Sequence, residues 1–208
     1  MGIAVTVVDY RAGNLTSVAK ALRAAGAEVS VTTRVEDVES ATRIVLPGVG
    51  HFAATARLEP GGMAQGGLKQ AMLRAIESGV PLLGICVGMQ WLFEGSTEAP
   101  DVPGAGYFAG RVTRFPAGGE KVPHVGWNQL EVVSETPLLA GVKSGEFAYF
   151  THAWRAPVSE ATVAATEYMG VFAAACQRGN VCGVQFHPEK SGATGLRILR
   201  NFLEMAAC

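Results

Sequence analysis

Uncharged apolar runs are short in this chain. Asp, Glu, Lys and Arg recur throughout, so no stretch reaches the roughly 20 residues that a bilayer-spanning helix needs. The opening MGIAVTVVDYRAGN carries no basic leader, long apolar core or small-residue cleavage site, so no export signal is visible and a soluble, cytoplasmic protein is expected. Cysteine is scarce: Cys86, Cys176, Cys182 and Cys208 are widely scattered and lack CxxC spacing. Neither a disulfide framework nor a metal site is called for, and no cofactor is expected. An excess of either charge is also missing, since 17 basic residues face 18 acidic ones. A net charge of −1 leaves no electrostatic footprint for nucleic acid or an anionic membrane. A small polar substrate or a protein partner fits better. There is no internal repeat.

What is present is core material. Hydrophobic residues make up 49% of 208, enough for one sizeable core, and nothing in the composition divides the chain, so a single domain over 1–208 is expected. IAVTVVD (3–9) reads as a buried strand, and Leu15, Val18, Ala19 and Leu22 repeat at helical spacing up to Gly26. AEVSVT follows as a strand, VEDVESAT as a short helix and RIVLPG (43–48) as a strand. LKQAMLRAIESG then reads as a helix and VPLLGI (80–85) as a fourth strand. This alternation implies a mostly parallel sheet with helices on both faces, an α/β fold. From about Tyr107 the pattern turns β-rich, in YFAGRVTRF, VGWNQLEVV, EFAYFTHAW and VFAAACQRGNVCGVQF, which predicts hairpins or a mixed extension of the sheet. A closing helix carries Leu196, Leu199, Phe202 and Leu203 as its apolar stripe. The glycine-dense EPGGMAQGGLKQ reads as a surface loop or as a cover over a site.

One thiol stands out. In GICVGMQ (84–90), Cys86 falls where a buried strand passes into helix-forming GMQWLFEG, with Gly84 and Gly88 on either side. A reactive side chain on such a corner is exposed at the carboxyl end of a strand, and small neighbours let the backbones pass closely. The Val87 amide there faces the position of a tetrahedral oxyanion, and a helix N-terminus favours a thiolate. An inert core thiol is the ordinary alternative. A nucleophile needs a base held by a third group. His187, in GVQFHPEKS, lies at a strand end before Pro188, and Glu189 two residues on would reach the same side of an extended segment. His51 lies in a turn and His124 on a hairpin. His152, among the aromatics of YFTHAW, is a weaker second candidate for the base. LPGVG (46–50) also follows a strand, and an amide of Val49 or Gly50 there can complete an oxyanion hole or simply belong to a loop.

With Cys86, His187 and Glu189 at three loop corners of an α/β sheet, the chain resembles the class I, triad-type glutamine amidotransferases. GICVGMQ and FHPEKS match that family's nucleophile and His/Glu motifs. The resemblance implies hydrolysis of L-glutamine through a thioester on Cys86, with His187 as base and then acid and Glu189 as its orienting partner. Within the family, VDYRAGNLTSV, PGVGHF, VPHVGWN, YFTHAW and GVQFHPEKS resemble the glutaminase subunits of imidazole glycerol phosphate synthase. That implies a separate (β/α)8-barrel synthase subunit receiving ammonia in histidine biosynthesis. It also implies substrate contacts from Gly50, Gln90, Glu98 and the backbone around His152, and a partner-facing side at Asn14 and Lys190. A glutaminase serving another synthase, as in pyridoxal phosphate synthesis, and a non-catalytic binding subunit are the alternatives. Three departures from the pattern stand out: Arg11 where glycine is usual, Ala153 and Trp154 in place of Ser-Tyr, and a longer EPGGMAQGG loop.

Overall fold

The computed structural model describes residues 2–59 and 67–206. The part of the glycine-dense loop from 60 to 66 lies outside the described residues, and so does Cys208. The first half alternates as the hydrophobic periods predict. The elements are β1 (Ile3–Val8), α1 (Leu15–Ala25), β2 (Ala27–Thr32), α2 (Val35–Glu39), β3 (Ile44–Gly48), α3 (Leu68–Glu77), β4 (Leu82–Cys86) and α4 (Val87–Trp91). The second half contributes β5 (Thr113–Arg114), β6 (His124–Gln129), β7 (Glu131–Val132), β8 (Phe147–His152), β9 (Trp154–Arg155), β10 (Thr162–Glu167), β11 (Val171–Arg178), β12 (Val181–Val184) and α5 (Gly192–Glu204).

Among the described residues, eight strands form one sheet in the order β2-β1-β3-β4-β12-β11-β10-β7. Pairings from β2 across to β12 are parallel, and those beyond β12 are antiparallel. Both forecasts for the β-rich half are therefore realised. β10 and β11 extend the main sheet, while β6–β8 and β5–β9 form two separate antiparallel ladders. α1 packs beside α5, and α2 beside α3. That grouping follows from right-handed crossovers, because the step from β1 to β2 runs opposite in direction to those from β2 to β3 and from β3 to β4. β3, β4 and β12 are buried on both faces and read as continuous apolar runs, as parallel strands covered by helices do.

The structure corrects several expectations. YFAGRVTRF yields only the two-residue β5, because Tyr107 and Phe108 are held as loop by bonds from their amides to the Leu92 carbonyl. β10, in the alanine-rich ATVAATE, is a strand that β-propensity does not announce. α4 ends at Trp91 and does not run on through GMQWLFEG. In α5 the buried stripe is Gly195, Ile198, Leu199, Phe202 and Leu203, with Leu196 only half-buried. No described helix is long and apolar enough to cross a membrane.

Candidate active site

The register of the sheet places three strand ends side by side. Gly48 of β3 pairs with Cys86 of β4, and Val184 of β12 pairs with Ile85. The segments that continue beyond them, Val49-Gly50, Val87 onward and Gln185–His187, therefore leave the sheet at the same level. The carboxyl edge of a parallel sheet is where such folds bind ligands.

Cys86 ends β4, and α4 starts at the next residue. Its backbone sits at φ 53°, ψ −108°, a region a residue with a Cβ occupies only when its surroundings hold it there. Close packing does the holding. A Cβ built on Gly84 would come within 2.6 Å of the Gly88 carbonyl oxygen, and one on Gly88 would overlap the Leu46 carbonyl oxygen of β3. With five residues, α4 has a weak macrodipole, so its main offering at the thiol is the backbone N–H of Val87 at its first turn.

His187 stands across from it. Beyond β12 the chain forms a 3₁₀ turn at Pro188–Lys190, rather than the extended segment expected, and the turn still brings Glu189 back to the ring. Glu189 Oε1 accepts from His187 Nδ1 at 2.8 Å, with side chains 1% and 2% exposed respectively. Because the carboxylate accepts, Nδ1 keeps its hydrogen in both charge states, and Nε2 is the atom that gains and loses a proton. Nε2 is buried without a hydrogen-bond partner among the described residues. The backbone is pinned as well, by a bond from His187 N to the Tyr149 carbonyl of β8 and one from Ser191 Oγ to the His187 carbonyl. Burial is the largest single influence on the imidazole and opposes its cation. The neighbouring Cys86 sulfur and Glu189 carboxylate together outweigh it, raising the pKa from 6.5 to about 9.

Cys86 and His187 open into a pocket of about 320 Å³ shared with Val49, Gly50, Val87, Gln90, Glu98, Thr151, His152 and Trp154. Gly50, at φ 89°, takes a turn that glycine enters freely. Glu98 is anchored by the Phe52 N–H at 2.8 Å, and its other oxygen lies 4.0 Å from His51 Nε2. A larger open cleft beside Tyr10, Arg11 and Arg57 contains neither Cys86 nor His187, so chemistry rather than size selects the smaller pocket. His152 is unsuited to be the base. Its Nδ1 donates to the Trp154 carbonyl at 2.8 Å and its Nε2 faces His124 Nδ1 at 3.2 Å. Burial, the largest influence on both rings, lowers His152 to about 3 and His124 to about 4, so both are neutral near pH 7.

Residues 6–206 match the family model for class-I glutamine amidotransferases. The chain belongs to this family. Relatives of this amidotransferase include the imidazole glycerol phosphate synthase subunit HisH of Deinococcus radiodurans, 48% identical over 95% of this chain and 92% of that protein. The subunit of the same name from Thermococcus kodakarensis is 47% identical over 95% and 98%. Among solved structures, one described as a glutamine amidotransferase superposes with a TM-score of 0.74 at 22% identity over 98% of both chains. PurLQS from Thermotoga maritima superposes with a TM-score of 0.72 at 23% identity, again over 98% of both chains. At such identities those two speak to the fold alone.

Two of the departures from the amidotransferase pattern have local explanations. Arg11 adopts φ 63°, the left-handed conformation that glycine takes at no cost, and its N–H is held by Asp9 Oδ1 at 2.7 Å. At Ala153 and Trp154 the backbone carbonyls accept the hydrogen bonds, from Phe115 N at the first and from Gln90 and His152 at the second, so those bonds do not depend on which side chains stand there. Asn14 caps α1, its side chain accepting from Ser17 N at 3.4 Å, and Lys190 is exposed with its ammonium 5.6 Å from the Tyr149 ring centre. Sequence reasoning missed Gln185, which is fully buried and donates to Cys86 Sγ at 3.7 Å. The available signal was an amide side chain inside the otherwise apolar VCGVQF.

Proposed function

We propose that this amidotransferase is the glutaminase subunit of an imidazole glycerol phosphate synthase, acting in histidine biosynthesis. The observation that carries the chemistry is the strained Cys86 at a strand end beside a His187 whose Nδ1 is held by Glu189 and whose Nε2 is unpaired. The sulfur, as thiolate, attacks the side-chain carbonyl carbon of glutamine, forming a C–S bond and a tetrahedral oxyanion. Val87 N–H and an amide of Val49 or Gly50 are the donors in this reading. The imidazolium passes its proton to the departing nitrogen, the C–N bond breaks and ammonia leaves, with a γ-glutamyl thioester on Cys86. His187, now neutral, takes a proton from water as the water attacks, the C–S bond breaks, and glutamate is released. Gly50, Gln90, Glu98 and the backbone around His152 hold the substrate.

Ammonia set free in neutral water is protonated and stops being a nucleophile, so it must be handed on directly. The identity to subunits named HisH supports a synthase partner, and we assign that partner a (β/α)8 barrel in a cytoplasmic heterodimer, where the joint reaction is of the lyase class. A single amidotransferase domain spanning the chain suffices for this role. An outward face supports docking. Val125 and Trp127 of β6 are 57% and 56% exposed, and across the ladder Phe147 and Tyr149 lie on the same side, next to Lys190. Thr151, on the same face, reaches the pocket, so a partner seated there and contacting Asn14 and Lys190 would adjoin the ammonia source. The test is glutamate release from glutamine with a barrel synthase present. Cys86→Ala is expected to lose at least about a thousandfold in kcat. Undiminished release from that variant would end the proposal.

A further inference from the structure

The carbonyl of Trp154 can only accept hydrogen bonds, and that one restriction sets the polarity of a buried network on two sides. On one side, His152 Nδ1 must donate to it, so His152 Nε2 accepts from His124 Nδ1, and His124 Nε2 accepts from Asn128 Nδ2 at 3.3 Å. On the other, the amide atom of Gln90 that faces Trp154 O at 3.0 Å must be Nε2, whose second hydrogen goes to Gln185 Oε1 at 3.1 Å. Gln185 is then forced to turn its Nε2 toward the Cys86 sulfur. Both Gln90 N–H groups are consumed, which leaves its Oε1 as the acceptor available to the pocket it lines.

We infer that Gln185 is a positioning residue for the reaction. Its carbonyl takes the second N–H of Gln90 and so anchors the amide in the orientation that the Trp154 carbonyl sets, while its N–H faces the sulfur of Cys86. The inference rests on the glutaminase reading of the pocket and adds to it a polar link between the substrate clamp and the nucleophile. An N–H against the sulfur favours negative charge there, and a locked Gln90 recognises a donor on the substrate without reorienting. Gln185 is flanked by Cys86 on one strand and by β11 on the other, where its own N–H bonds the Ala174 carbonyl, so its placement is set by the sheet. The ionisable groups around the sulfur are His187, with Glu189 behind it, and the buried Tyr10.

The experiment uses the whole chain and iodoacetamide, with modification of the peptide carrying Cys86 followed by mass spectrometry across pH, and glutamine kinetics with a synthase partner alongside. Gln185→Met, close in shape but without either polar atom, is expected to slow Cys86 alkylation at pH 7 at least about fivefold and to raise KM for glutamine at least about fivefold. Gln185→Glu keeps the acceptor for Gln90 and puts a titrating carboxyl against the sulfur. It is expected to add an ionisation to the pH profile of Cys86 alkylation that the parent lacks, with KM changed less than about twofold. Either variant alone decides the matter if the other fails to fold. Parent alkylation rates in Gln185→Met, or a Gln185→Glu profile that superimposes on the parent's, would overturn the inference. Absence of glutamine turnover in the unmodified protein would instead sink the glutaminase reading, and the alkylation rates would still judge the contact.

Discussion

At Gly88 the space a methyl group would fill is already taken by the Leu46 carbonyl oxygen, whereas at Gly50 nothing lies within 4 Å of a built Cβ. Two Gly→Ala changes at the same site are therefore expected to part. Gly88→Ala must push β3 away from the nucleophile corner and should cost about 3 kcal/mol or more in urea unfolding. Gly50→Ala meets only the backbone penalty of its left-handed φ, about 1 kcal/mol. Equal losses would mean that the corner is not closely packed. His187 supports a second residue-level expectation. Its folded pKa near 9 lies above the unfolded value near 6.5, so its stabilising contribution is complete below 6.5 and is lost as pH rises through about 9. In Cys86→Ala one of the two groups that raise the pKa is gone. The urea midpoint between pH 7 and 9.5 should then fall earlier than in the parent, and a ring titration of His187 by NMR should show the lower pKa directly.

The β6–β8 ladder carries the opposite sign. His124 and His152 face each other across it and are held neutral inside a cage of Phe115, Phe150, Tyr168 and Phe172. Unfolded, both bind protons near pH 6.5. Folded, they bind them only near 4 and 3. Between those values the unfolded chain holds more protons, so stability present above pH 6.5 drains away as pH falls through about 4 and then about 3. The urea midpoint should drop steadily from pH 7 to 4.5, and a His124→Asn, His152→Asn double variant should show a flatter curve; parallel curves would contradict the assignment. The same region marks the limit of what the chain reveals unfolded. β1 through β4 are legible because β-branched runs alternate with helical spacing, and Cys86, His187 and Glu189 are legible because reactive side chains interrupt apolar strand ends. β10 is not, since its alanines become a strand only through burial against β11, and Tyr107 and Phe108 look strand-like because they pack as loop over α4. Gln185 is hidden for a similar reason. Its alternation suits a strand, and only the three-dimensional meeting with Gln90 and Cys86 gives the amide a purpose.

For the molecule as a whole, the positions of the exposed apolar side chains decide what the outer face of the ladder is for. Val31, Val49, Val133, Val158 and Val171 are exposed at separate places along the fold, the scatter that folded surfaces tolerate, but Val125, Trp127 and Phe147 share one side of β6–β8 with Tyr149. A tryptophan more than half exposed contributes little to the isolated fold, and the same ring seated in a partner is the type of side chain that dominates an interface. Trp127→Ala should therefore leave the urea midpoint of the free chain nearly unchanged while weakening association with the proposed synthase partner by about 2 kcal/mol, roughly thirtyfold in Kd. Glutamine turnover at saturating partner should be retained, because Trp127 does not line the pocket. Isothermal titration of the two subunits separates the possibilities: an unchanged Kd would move the docking surface elsewhere, and a large loss of stability in the free chain would make Trp127 a part of the fold.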